Sequence, residues 1–226
     1  MKGWWSCMLA VLERDLRAEC RAKERLGPMA FFLASTLLVF CFSLGPSVAG
    51  LDGAGAGVLW SSFVLASVLG LNRSFAEERE NACLDALLLA PADRGAVFTG
   101  KMLANFAALA CIQAAALPAF AVLFNLDLGR VWLRLLGVFL LGGAALSAVG
   151  TLFAALSSSL RLRETLLPVL LLPVAVPVLI AATDATSVVL TGGQLGDCVS
   201  CLAVLAVAWL VFYTLAIMLI DRVLEE

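Results

Sequence analysis

Val131 to Leu156 reads VWLRLLGVFLLGGAALSAVGTLFAAL, a run whose one charge, Arg134, sits near its start. As a helix it would be about 39 Å long at roughly 1.5 Å per residue, more than the ~30 Å hydrocarbon core of a bilayer. Apolar residues do not alternate with polar ones along it, so a barrel strand is a poor reading. In lipid, a helix satisfies every backbone polar group within its own segment. The run is also rich in small residues: Gly142, Gly143, Ala144, Ala145, Ser147, Ala148 and Gly150, with small-x-x-x-small pairs at Gly143/Ser147 and Ala144/Ala148. Such faces let helix backbones approach closely, within one bundle or across a dimer interface.

Outward from this run, five further stretches have comparable character: 29–45, 54–71, 102–124, 166–182 and 198–220. The chain is 62% hydrophobic and 14% charged, outside the usual range of a water-soluble domain. The expected fold is an all-α integral membrane protein of six transmembrane helices. Between the spans on the side of Arg134 the connections are short, which leaves no room for an extracellular enzyme domain. The first apolar run follows 28 residues rich in Arg, Glu and Asp, and no small-residue cleavage site accompanies it, so a removable signal peptide is not expected. Six spans place all but Arg130 and Arg134 of the 15 basic residues on one side. Positive charge marks the cytoplasmic side, which predicts both termini in the cytoplasm of a multi-pass inner-membrane protein.

The chain has seven Cys and no His, which excludes His-based zinc hydrolysis and Ser-His-Asp chemistry. Cys198 and Cys201 form a C-x-x-C at the outer end of the last span, open to a structural or a redox reading. Residues 4–26 read as an amphipathic helix. Trp4, Trp5, Met8, Leu9, Leu12 and Leu16 share one face, Glu13, Arg14, Arg17, Arg21 and Glu24 the other. Asp15, Glu19 and Lys23 interrupt the apolar stripe in its second half, which suits contact with protein there. Gly27-Pro28 is expected to end the element. Asn105 and Gln113 lie only about 80° apart around the third span, as interhelical hydrogen-bonding groups or as lining of a polar pathway. Pro168, Pro173 and Pro177 remove helix hydrogen bonds from the fifth span and can kink it.

Gly95 to Lys101, GAVFTGK, has the spacing of a phosphate-binding loop. Such a loop follows a strand, continues with Ser or Thr, and belongs to an α/β domain. Met102 follows here, and no such domain is left over, so the chain is not expected to bind ATP or to be an enzyme. Upstream, Ser74-Phe75-Ala76-Glu77 has the form of a capping box from which a new helix would begin. Glu77, Glu78, Arg79 and Glu80 then place charge all around a helical turn, Leu84, Leu87, Leu88 and Leu89 follow, and Ala90-Pro91 stops the run. A short charged and apolar helix of this kind suits docking to another cytoplasmic protein.

The pattern E-R-E-x-x-x-L-D-x-L-L-L-x-P-x-x-R-x-x-x-x-x-x-K at Glu78 to Lys101 resembles the loop between spans two and three of ABC-2 type permeases. With Asn72 to Glu80, NRSFAEERE, the six-span layout and the N-terminal helix, the chain is similar to the CcmB family over nearly its whole length. Ala82-Cys83-Leu84-Asp85 departs from the Gly-Thr-Leu-Glu of the wider permease group. The resemblance implies a cytoplasmic N-terminal helix, 1–28, and a six-span permease domain, 29–226, whose cytoplasmic loop 72–101 couples to an ATPase. ATP and Mg would sit in that separate, CcmA-like subunit, docked at Glu77, Glu78, Arg79, Glu80, Leu84, Asp85, Leu88 and Pro91. It further implies a homodimer working beside CcmC-, CcmD- and CcmE-like maturation proteins, with haem at most a transient substrate and no nucleic acid partner. The function implied is haem export, or release of a haem-loaded chaperone, in c-type cytochrome biogenesis. A non-transporting scaffold of the same complex and a permease for another hydrophobic substrate are the alternatives.

Overall fold

The computed structural model describes residues 2–22, 25–44, 54–80, 93–124, 129, 131–158 and 163–223; at several helix ends, 74–80 among them, it describes the backbone alone. Among the described residues seven helices follow in order: α1 (Lys2–Ala22), α2 (Leu26–Leu44), α3 (Ala54–Glu80), α4 (Arg94–Leu123), α5 (Trp132–Ser158), α6 (Arg163–Leu190) and α7 (Val199–Val223). A 3₁₀ turn, Leu195–Cys198, precedes α7, and no strand occurs among the described residues. Helices α2 to α7 contain the six segments that, among the described residues, are long and apolar enough to cross a membrane. The expected all-α, six-span architecture with an amphipathic N-terminal helix is therefore present.

Four local expectations are corrected. Gly27-Pro28 does not end α1, which stops at Ala22; the pair lies in the first turn of α2. Proline is tolerated there because the first N–H groups of a helix have no intrahelical acceptor in any case. Ser74 does not start a helix, because α3 runs unbroken to Glu80 with no Gly or Pro between Leu71 and that end. The third span begins at Arg94, capped by Asp93, whose carboxylate accepts from the Ala96 N–H at 3.2 Å. Gly95 to Lys101 is thus helix throughout and offers no open phosphate cradle. The fifth span continues eight residues past 182, through all three prolines, and so takes in Asp184.

α5 occupies the centre, packed against α3, α4, α6 and α7. Its small residues serve this packing. Trp60 of α3 is fully buried, stacked on Phe139 at 5.1 Å and edge-on to Phe63 at 5.7 Å, and its indole N–H donates to Thr186 Oγ1 at 2.8 Å. The rim of that indole fills the space a side chain at Gly142 would need, and Leu71 fills the space beside Gly150 in the same way. Met29 of α2 does so at Gly70 of α3. Without a hydrophobic driving force between helices in lipid, close van der Waals fit of this kind holds a bundle together. Large apolar side chains point outward instead on α2 and α7, with Phe42 84% and Met218 72% exposed. Such a surface suits a lipid solvent and not water.

At the end remote from α1, α6 closes with paired bonds from Gly193 N–H to Val188 O and from Gly192 N–H to Val189 O. That Schellman pattern needs a left-handed residue, and Gly192 has φ of 89°. Arg134 holds the same turn by donating to the Gly193 carbonyl at 2.8 Å.

The two kinds of α5 glycine should respond oppositely to a methyl group. Gly142→Ala meets the Trp60 ring and is expected to cost about 1–3 kcal/mol through overpacking. Nothing lies within 4 Å of the added carbon at Gly137, so Gly137→Ala should be neutral or slightly stabilising through helix propensity. Thermal unfolding in detergent, followed by helical circular dichroism, distinguishes the two.

Candidate functional site

α1 has three faces rather than two. Met8, Val11, Asp15 and Glu19 fall within about 80° of one another around the helix and are buried against the bundle. Trp5, Leu9 and Leu16 form a neighbouring apolar face that stays exposed, so the predicted apolar stripe is split between protein and the outer surface. Glu13, Arg17 and Arg21 lie opposite, exposed, with Arg17 paired to Glu13. The packing face meets the first turns of α4. Gly100 is the point of closest approach, where a side-chain carbon would lie 2.8 Å from the Met8 carbonyl oxygen and 2.9 Å from Val11 Cβ.

One turn along, the apolar contact gives way to charge. Asp15 faces Lys101 Nζ at 3.5 Å and also accepts from Arg14 Nε at 3.0 Å. Glu19 receives three donors: Arg25 Nε at 2.5 Å and the backbone N–H groups of Arg25 and Leu26 at 3.3 and 3.0 Å. This carboxylate therefore ties the end of α1 to the start of α2. Arg25 continues inward, donating from Nη1 to Asn105 Oδ1 at 3.1 Å, and Asn105 Nδ2 donates to Thr151 Oγ1 at 3.0 Å. Lys101, Asn105 and Arg25 are at most 6% exposed, and Thr151 is fully buried. The chain of contacts joins α1, the start of α2, α4 and α5.

Its chemistry is that of a joint. Two buried acids meet two buried bases, with the half-exposed Arg14 also on Asp15, and each of the four has a partner within the fold. Nearby bonds reinforce the same level: Ser147 Oγ donates to the Met102 carbonyl at 2.7 Å, and Thr99 and Tyr213 share a hydroxyl contact at 3.1 Å between α4 and α7. Among the described residues no cluster of three or more Asp, Glu, Cys or His could hold a metal ion.

The residues singled out in the sequence are distributed unevenly. Asn105 is the central link of this chain. Gln113, two turns further along α4, is equally buried, yet its carboxamide has no hydrogen-bond partner and lies against Gly143. The two amides thus occupy different environments despite their shared face. Glu77, Glu78, Arg79 and Glu80 lie on the last turns of α3; Leu84, Asp85, Leu88 and Pro91 lie outside the described residues, as does Lys23. Cys198 is 2% exposed, its thiol 4.0 Å from the Gln194 carbonyl and next to Asp197. Sequence reading missed Asp15, Glu19, Arg25, Lys101 and Thr151 as one unit. The available signal was the pair of acids at positions i and i+4 interrupting an apolar stripe, with an isolated lysine at the head of an apolar span.

Comparison with known proteins places this arrangement. The family model described as CcmB protein matches residues 6–222. The chain belongs to the CcmB family. It is 42% identical to the heme exporter protein B of Rhodobacter capsulatus over 179 residues, covering 78% of this chain and 81% of that one. The Paracoccus denitrificans protein of the same name is 37% identical, covering 79% and 81%, and the Bradyrhizobium diazoefficiens one 31%, covering 83% and 84%. The CcmB match begins inside α1 and takes in every membrane-spanning helix, so the N-terminal helix is part of the family unit.

Two expectations follow from the polar groups of this CcmB chain. Lys101→Met takes from Asp15 its buried counter-charge, leaving the half-exposed Arg14, and should cost about 1–3 kcal/mol, whereas Asp15→Asn with Lys101→Met should recover part of that loss. Along α4, Asn105→Leu takes the acceptor from Arg25 Nη1 and should destabilise by about 1–3 kcal/mol, while Gln113→Met removes an unsatisfied amide and should be neutral or stabilising. Thermal midpoints of the purified variants, compared with the parent chain, read both contrasts.

Proposed function

We propose that this chain is the membrane-spanning, non-catalytic subunit of an ABC transporter complex acting in haem export or haem-chaperone release during c-type cytochrome biogenesis. The relatives' shared name, heme exporter protein B, supplies the substrate class. The geometric support is the length of α3. Its apolar part ends at Arg73, but the helix continues to Glu80, roughly 10 Å further at 1.5 Å per residue. That extension carries Glu77 to Glu80 beyond the apolar span, on the side where α1 lies. A rigid rod that leaves the membrane with charge around its last turn is a suitable handle for a separate ATPase. Leu84, Asp85, Leu88 and Pro91 complete the docking segment in this reading.

ATP and Mg belong to the partner, a CcmA-like ATPase, and CcmC-, CcmD- and CcmE-like proteins complete the assembly around a dimer of this chain. Both termini face the cytoplasm of the inner membrane, in keeping with the concentration of Arg and Lys on that side. Haem is the substrate in transit. The chain contains no His, which disfavours stable axial ligation of the iron and suits brief passage or handover.

Charge reversal at the handle tests the docking: Glu78→Arg with Glu80→Arg should abolish co-purification of the ATPase subunit while membrane insertion is retained. Unchanged stoichiometric association would remove the handle from the mechanism. In proteoliposomes holding the whole complex, ATP-dependent movement of haem supports transport. ATP-dependent chaperone release without haem movement assigns the chain the scaffolding role instead.

A further inference from the structure

We infer that α1 is a fixed strut of the permease bundle, locked to α4 and α5 by the buried polar chain, and that Gly100-Lys101 is the receptacle for this helix. Three independent features carry the inference. The approach of α1 to α4 is close enough that Gly100 has no room for a side-chain carbon against the Met8 carbonyl. Immediately beyond it, Lys101 and Asp15 face each other away from solvent, their side chains 7% and 11% exposed. Finally, Glu19 ties the connection between α1 and α2 to Arg25, and Arg25 ties it through Asn105 to Thr151 of α5. A helix resting loosely on a membrane surface needs none of these; exposed lysines and a continuous apolar stripe are enough.

Separating α1 from α4 would break the Asp15–Lys101 pair and draw Arg25 from Asn105, whereas moving the two helices together keeps both contacts. α3 has a different relation to the strut. Its contacts with α2 and α5 near the α1 side include Met29 against Gly70 and Leu71 against Gly150, apolar fits without a hydrogen bond. The strut therefore travels with α4 and α5, and the α1-side end of α3, whose Trp60 is anchored further along on Phe139 and Thr186, is the part that can shift against that body. This last step rests on the ATP-driven reading above; the seating of α1 does not.

Double electron–electron resonance on the full-length chain in its complex tests both parts. Spin labels go on Arg17→Cys and the native, exposed Cys111 for the α1–α4 distance, and on Arg17→Cys and Leu69→Cys for α1–α3, with the other cysteines replaced. The α1–α4 distribution is expected to be narrow and to keep its modal distance with and without trapped ATP, while the α1–α3 distance shifts. Lys101→Met should broaden or lengthen the α1–α4 distribution. Gly100→Ala, which displaces α1 without changing charge, should do the same and serves if the first variant does not fold. An α1–α4 distance that changes with nucleotide, or that stays narrow in both variants, overturns the strut. If neither pair responds to ATP while both variants loosen α1, the strut stands and the ATP-driven reading of α3 falls.

Discussion

Asp15, Glu19, Arg25 and Lys101 are held out of water, and satisfying them constrains how four helices meet. A buried carboxylate or ammonium costs several kcal/mol unless a counter-charge and further donors reach it. Glu19 meets that condition with a guanidinium and two backbone N–H groups, all from the turn that leads into α2. The end of α1 cannot part from the start of α2 without leaving that carboxylate stripped of these partners. Arg25 is consequently aimed inward, Asn105 is oriented with its oxygen toward Arg25 and its nitrogen toward Thr151, and α4 and α5 are fixed relative to the N-terminal helix.

Shape does the remaining work. Gly70, Gly100, Gly142 and Gly150 each give up a side chain to a neighbour, and the neighbours differ in kind. At Gly100 the obstacle is a backbone carbonyl, which cannot move aside. At Gly142 it is an indole held by stacking on Phe139 and a bond to Thr186, nearly as fixed. At Gly70 and Gly150 it is the end of a methionine and of a leucine, which can adopt other rotamers. The seams of α3 near the α1 side are thus softer than the seam of α1 with α4, although all of them are close.

Much of this architecture could be read from the sequence because bilayer physics writes length and apolarity into each span. Val131 to Leu156 identified α5 to within two residues, and the small residues in it identified the packing face. Ends were harder. Gly27-Pro28 and Ser74 to Glu77 carry local signals of a stop and a start, yet the first fits equally well inside a first turn and the second inside a continuous helix. The polar joint was only half visible. Asp15 and Glu19 showed as interruptions of a stripe, but periodicity gives the direction of a side chain around its own helix and says nothing of which distant residue it meets. Lys101, separated from Asp15 by 86 positions, looked like the end of a phosphate motif and like a membrane-boundary lysine, and neither reading pairs it with an acid on α1.

The contrast between Asn105 and Gln113 shows how far one kind of residue can differ in cost within one helix. Both are amides buried on neighbouring faces of α4. Asn105 has its oxygen and nitrogen bonded to different helices and so converts burial into specificity. Gln113 faces Gly143, where the missing side chain leaves room for the carboxamide but no group to bond it, and its burial is uncompensated in this conformation. Placed two turns apart, they divide α4 into a half near α1 whose neighbours are fixed by directed bonds and a remoter half whose packing against α5 is held by volume alone. Directed bonds tolerate displacements of a few tenths of an ångström, while a volume contact can slip along a row of small residues at the cost of some dispersion energy. The seam of α4 with α5 is therefore held by the directed Asn105–Thr151 bond at its α1 end and by shape at the level of Gln113.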